Sequence, residues 1–156
     1  MRGLHGLAWR ALGNGFKVFM VQFIKGKWKT GERLLAESLP NLTFQVMGRG
    51  FTWESDDLSR DRAAAEAAWQ EAAALIAGGQ HQVVILDELT YVINFGFVPA
   101  ATVMEALKAR PAHVHVVVTG RNAPDELVAA ADLVTEMQKV KHPFDQGRKA
   151  TLGVDF

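Results

Sequence analysis

Cysteine is absent from this 156-residue chain, which removes disulfides, zinc–thiolate sites and thiol nucleophiles in one step. An excess of either charge is missing too. Seventeen Lys and Arg balance seventeen Asp and Glu, for a formal net charge of zero, which argues against a dedicated nucleic-acid binder with its basic excess. No apolar run approaches the length of a transmembrane helix, and no basic n-region with an apolar h-region marks a signal peptide. The expected compartment is the cytoplasm, with no membrane partner. There is no Ser-His-Asp or G-x-S-x-G arrangement for acyl transfer. His5, His81, His113, His115 and His142 show no metal-ligand spacing, except that His113 and His115 alternate and read as strand residues on one face. No internal repeat, low-complexity tract or linker interrupts the chain.

What remains is an ordinary globular composition, 49% apolar, and a length suited to one domain over residues 1–156. The organising stretch is Val83 to Tyr91, VVILDELTY. Four apolar residues run straight into Asp87 and Glu88, and an unbroken β-branched run of this kind predicts a strand buried on both faces of a parallel sheet. Carboxylates at the end of such a strand lie in the crevice where open α/β sheets bind ligands. The pattern is that of a Walker B strand, whose acid holds Mg²⁺ directly or through water. A buried strand ending in a solvated acidic turn would look the same.

Around this stretch, apolar segments alternate with helical ones. Leu4, Leu7, Ala8, Ala11 and Leu12 share one helical face over residues 1–12, and Gly13-Asn14-Gly15 stops that helix. Val18 to Ile24 predicts a strand, followed by the basic, glycine-punctuated loop Lys25 to Gly31. A short helix over Glu32 to Ser38 ends before Pro40. Leu42 to Met47 predicts another strand, leading into Gly50-Phe51-Thr52-Trp53-Glu54. The alanine-rich stretch from Ser59 to Ala77 predicts a long helix with Trp69, Ala72, Ala73 and Ile76 inward. Pro99 opens a helix through Ala109. Val114 to Val118 predicts a strand ending in Thr119-Gly120-Arg121, Pro124 to Ala131 a short helix, and Leu133 to Val140 an edge strand. The alternation implies parallel β-α-β units and an α/β class, a mostly parallel sheet flanked by helices.

Three loops at strand ends, Lys25–Gly31, Gly50–Glu54 and Gly120–Arg121, would converge with Asp87 and Glu88 on one edge of that sheet. Acids for a cation, basic groups for phosphates and aromatics for a flat ligand form a coherent set. Each has a plainer reading. Lys25, Lys27 and Lys29 also suit a solvated loop, Phe51 and Trp53 also suit plugs over the core, and Arg121 could pair with Asp125.

The segments VQFIKG (21–26), GFTWE (50–54), LDELTY (86–91), ARPAH (109–113), VTGRNAPDEL (118–127) and VKHPFDQG (140–147) carry a resemblance. In order, from Arg10 to Phe156, the chain resembles the ATP:corrinoid adenosyltransferases of the bacterial cobalamin-pathway type. The resemblance implies a P-loop-NTPase-like α/β fold, a homodimer, and transfer of the 5′-deoxyadenosyl group of ATP to a Co(I) corrinoid with release of triphosphate. It implies ATP, Mg²⁺ or Mn²⁺ and a corrinoid (cobalamin or a precursor) as ligands, and a flavoprotein or other cobalt reductant as partner.

It also implies roles. Phe51 and Trp53 match aromatics against the corrinoid face, where an apolar, water-free side favours four-coordinate cobalt that is easier to reduce. Glu88, with Asp87, matches the acid near the metal on the triphosphate. Arg121 matches a phosphate-contacting arginine, work that suits its planar fork, and Arg10 matches a family position on the P-loop helix counted with the ATP-binding residues. No side chain need act as nucleophile, because cobalt attacks C5′ itself. One departure stands against these matches. The family's glycine-rich phosphate loop with its lysine and threonine is expected before the first helix, and G-x-x-x-x-G-K-[ST] occurs nowhere in the sequence. The expectation is therefore an adenosyltransferase lacking its first strand and P-loop as written, with weakened ATP use and an open seam in its sheet. The alternative is a non-catalytic corrinoid carrier or sensor.

Overall fold

The computed structural model describes residues 2–24, 31–47 and 58–154. Its centre is a four-stranded, all-parallel sheet in the order β2-β1-β3-β4. The strands are β1 (Val18–Gln22), β2 (Leu42–Val46), β3 (Val83–Asp87) and β4 (His115–Val118). The helices are α1 (Arg2–Gly13), α2 (Gly31–Ala36), α3 (Leu58–Gly78), α4 (Leu89–Asn94), α5 (Ala100–Lys108) and α6 (Asp125–Ala130).

The period-two alternation of a strand decides which layer each residue joins. Val18 and Met20 of β1, with Val83 and Ile85 of β3, face α1 and pack on Leu4, Ala8 and Ala11. Phe19, Val21, Val84 and Leu86 face the other way, onto Ala65, Trp69, Ala72 and Ile76 of α3 and Val103 of α5. Both central strands are therefore wrapped on both faces, and every residue of β3 is buried. Burying each of these larger apolar side chains stabilises the fold by about 1.5–3 kcal/mol. This is why an unbroken apolar run, rather than an alternating one, marks β3.

The register sets up the functional edge. Gln22 of β1 lies beside Asp87 of β3, and Leu86 of β3 beside Val118 of β4. From β1 the chain moves outward to β2, and then returns across β1 to β3. The strand order thus reverses between β1 and β3, and the crevice outside the C-terminal ends of those two strands is where such sheets accept ligands.

Several expectations differ from the structure. Leu133 to Val140 forms no strand; it is irregular and exposed, Leu133 at 84% and Val140 at 95%. Its sequence explains this: Leu133 and Met137 fall on one face and Val134 and Val140 on the other, so no single apolar side specifies a register. The second difference is α4, a six-residue helix directly after the acids, where the sequence reading placed none. His113 also leaves the strand it was assigned to, and its Nε2 meets the Gly79 carbonyl oxygen at 2.8 Å.

Candidate functional site

Asp87 is the last residue of β3 and only 2% exposed. A buried carboxylate needs donors, and the neighbouring strands supply them. The Thr119 hydroxyl, just past β4, donates to Oδ1 at 2.6 Å, and the Gln22 amide, at the end of β1, donates to Oδ2 at 3.2 Å. Asp87 thereby ties three strand ends together.

Glu88 is placed by the same network. Its N–H donates to the Thr119 hydroxyl at 3.0 Å, and its backbone is left-handed, with φ 64° and ψ 24°. A non-glycine residue in that region costs about 1–2 kcal/mol, and such outliers persist where surrounding structure over-determines them, often at functional sites. The turn ends β3 and starts α4 within one residue, which lifts the Glu88 side chain out of the strand line. Its Oε2 is buried and, among the described residues, has no hydrogen-bond partner. Burial raises the Glu88 pKa above its ordinary value, and the Asp87 charge raises it further; the Arg121 guanidinium opposes both.

Arg121 sits on the loop after β4, and its backbone is fastened to α4. The Thr90 hydroxyl donates to the Arg121 carbonyl at 2.8 Å and accepts from the Arg121 N–H at 2.8 Å. The Asn94 amide reaches the carbonyls of Arg121 and Asn122 at 3.3 and 3.1 Å.

The structure therefore brings Asp87, Glu88 and Arg121 to one edge. Arg10 is not with them. It lies in the last turn of α1, and the link 14–17 leads from that turn into the start of β1, at the opposite end of the sheet. Phe51, Trp53 and residues 25–30 of the basic loop lie outside the described residues. Gln22, Thr90 and Asn94 belong to the site although the sequence reading did not single them out. The available signal was a polar residue closing an otherwise apolar strand, at Gln22 and again at Thr119.

The donor set can be tested against Mg²⁺. Both Asp87 oxygens already accept protein hydrogen bonds, and among the described residues no cluster of three or more His, Cys, Asp or Glu could cage an ion. At this edge, among the described residues, Glu88 Oε2 is a buried carboxylate oxygen without a hydrogen-bond partner. That fits Mg²⁺ held by one or two carboxylates and substrate phosphates, rather than by an all-protein cage.

Comparison with known proteins identifies the family. Residues 3–156 match the family described as ATP:corrinoid adenosyltransferase BtuR/CobO/CobP. A corrinoid adenosyltransferase of Pseudomonas aeruginosa is 49% identical over 97% of this chain and 75% of its own length. Corrinoid adenosyltransferase CobA of Salmonella typhimurium is 45% identical over 97% of this chain and 76% of its own. That of Escherichia coli is 44% identical over the same shares, 97% and 76%. With a parallel sheet, an acid pair at its switch point and this likeness along nearly the whole chain, the protein belongs to the ATP:corrinoid adenosyltransferases, a family of enzymes.

Proposed function

We propose that this enzyme transfers the 5′-deoxyadenosyl group of ATP to a Co(I) corrinoid and releases triphosphate. The observation that carries the reading is the partnerless, buried Oε2 of Glu88 beside the Arg121 charge, at the sheet's switch point. A lone carboxylate oxygen and a guanidinium suit opposite ends of one ligand, a metal-bound polyphosphate.

In the transfer a Co–C5′ bond forms as the C5′–O5′ bond breaks, and the electron pair leaves on the triphosphate. The protein's share is positioning and stabilisation of the leaving charge. Bound Mg²⁺ supplies charge neutralisation at the triphosphate. Glu88 would hold that ion through its open oxygen, while Asp87, engaged by Thr119 and Gln22, orients the strand end that presents it. Arg121 donates to the phosphate oxygens, fixing the leaving group in line with the attack.

Phe51 and Trp53 cover the corrinoid face and keep water and a lower axial ligand from cobalt. Alanine at either position is expected to weaken the four-coordinate cobalt signal, read optically or by EPR, with the melting temperature unchanged. Unfolding of Trp53→Ala would make it a core plug instead. A homodimer, cytoplasmic location and a flavoprotein or other reductant delivering electrons to cobalt complete the proposal. No helix among the described residues is long and apolar enough to cross a membrane.

Arg121→Ala tests the phosphate role. Loss of charge-assisted hydrogen bonds worth about 1.5–3 kcal/mol should raise the apparent constant for ATP about 10–100-fold, with corrinoid affinity nearly unchanged. Equal losses for both substrates would assign Arg121 a structural part.

A further inference from the structure

We infer that Thr90, assisted by Asn94, is a positioning residue that holds the Arg121 loop at a fixed place relative to Glu88. This rests on the phosphate role proposed for Arg121 and deepens it.

Thr90 is 2% exposed and stands in the first turn of α4, two residues after Glu88. Its single hydroxyl engages both backbone groups of Arg121 at 2.8 Å. The fit is steric as well as polar. A Cβ at Gly120 would overlap the Thr90 hydroxyl oxygen and approach Thr90 Cβ and Cγ2 at 2.9 and 3.1 Å. Thr90 therefore occupies the space that glycine leaves open.

The loop holds unusual backbone on either side of this contact, with φ 149° at Gly120 and 51° at Asn122. Asn94 adds a second hold, reaching the carbonyls of Arg121 and Asn122. A threonine needed only to satisfy itself could return its hydroxyl to the preceding helical carbonyl or to solvent. Here it spends its donor and its acceptor on one residue of a distant loop. The start of α4 thus carries the acid and grips the base, so the two charges move together. These hydrogen bonds fix main chain and do not engage the guanidinium.

Thr90→Val keeps the shape and removes the hydroxyl. The test is a double-mutant cycle with Arg121→Ala in the full protein, reading the apparent constants for ATP and corrinoid. Thr90→Val should raise the constant for ATP about tenfold, with corrinoid within about twofold, and add no further loss in the Arg121→Ala background. Thr90→Ser, which restores the hydroxyl, should recover most of the ATP affinity. Asn94→Ala, at an exposed position, should give a smaller loss with the same selectivity; if Thr90→Val fails to fold, this variant carries the cycle. An equal ATP loss with and without Arg121, or no loss at all, would overturn the positioning role. If Arg121→Ala itself leaves ATP unaffected, the phosphate reading fails, and the positioning inference goes with it.

Discussion

A single methyl group at position 120 is expected to destabilise the fold by about 3 kcal/mol or more and to unfasten the phosphate edge. In Gly120→Ala the new Cβ would overlap the Thr90 hydroxyl oxygen and crowd Thr90 Cβ and Cγ2. Overpacking of this kind costs about 1–3 kcal/mol. A side chain at φ 149° adds a backbone cost of about 1–3 kcal/mol. For a domain of this size the melting temperature should fall by roughly 6–12 °C. Surviving folded protein should have lost ATP affinity, because relief of the clash pushes Arg121 away from α4. A thermal melt of Gly120→Ala within about 1 °C of the parent would contradict the close approach of loop and helix.

The second large effect is at Glu88, where function and stability are expected to part. Glu88→Gln keeps the size of the side chain and removes its charge. Mg²⁺-dependent ATP use should fall by about a hundredfold or more, beyond the 10–100-fold typical of groups that only support a metal ligand. Stability should move the other way. Burial, and then the Asp87 charge, raise the folded-state pKa of Glu88. A raised folded pKa means that protonation favours the native state. The contribution is fully present below the ordinary carboxylate pKa and is lost as pH rises through the folded value. At neutral pH the ionised Glu88 therefore costs stability, and Glu88→Gln should melt higher than the parent. That advantage should shrink as the pH is lowered into the carboxylate range. In the parent, ATP use should fall on acidification at a higher pH than an ordinary glutamate would give. Denaturation of both proteins across pH, with ATP titrations alongside, checks all of these outcomes. A variant less stable than the parent at neutral pH would mean that the carboxylate is structurally satisfied after all.

How much of this was legible in the chain follows from how far each interaction reaches. β3 could be read directly, since burial on two faces leaves an unbroken apolar run ending at Asp87. α1, α3 and α5 were legible from helical spacing and from Gly13 and Pro99 as stops and starts. The partners of Asp87 were not. Gln22 lies 65 residues away and Thr119 lies 32 away, and only the strand order, with β1 and β4 on either side of β3, makes them neighbours. Thr90 and Gly120 meet for the same reason. α4 is too short to show a repeating face, and the left-handed turn at Glu88 has no glycine to announce it. Leu133 to Val140 misled in the other direction, suggesting an edge strand where the apolar residues choose no face. The acids and Arg121 were legible as residues; their division of labour required the hydrogen bonds.

The Glu88–Arg121 edge is expected to hold ATP by its triphosphate while a corrinoid takes the adenosyl group. The most direct measurement is an anaerobic reaction of the full protein with ATP, Mg²⁺ and chemically reduced corrinoid, following the corrinoid spectrum and the phosphorus products together. The expected result is one adenosylated corrinoid and one inorganic triphosphate for each ATP consumed, and loss of both in Glu88→Gln. Orthophosphate or diphosphate released without change in the corrinoid, or undiminished turnover by Glu88→Gln, would contradict it.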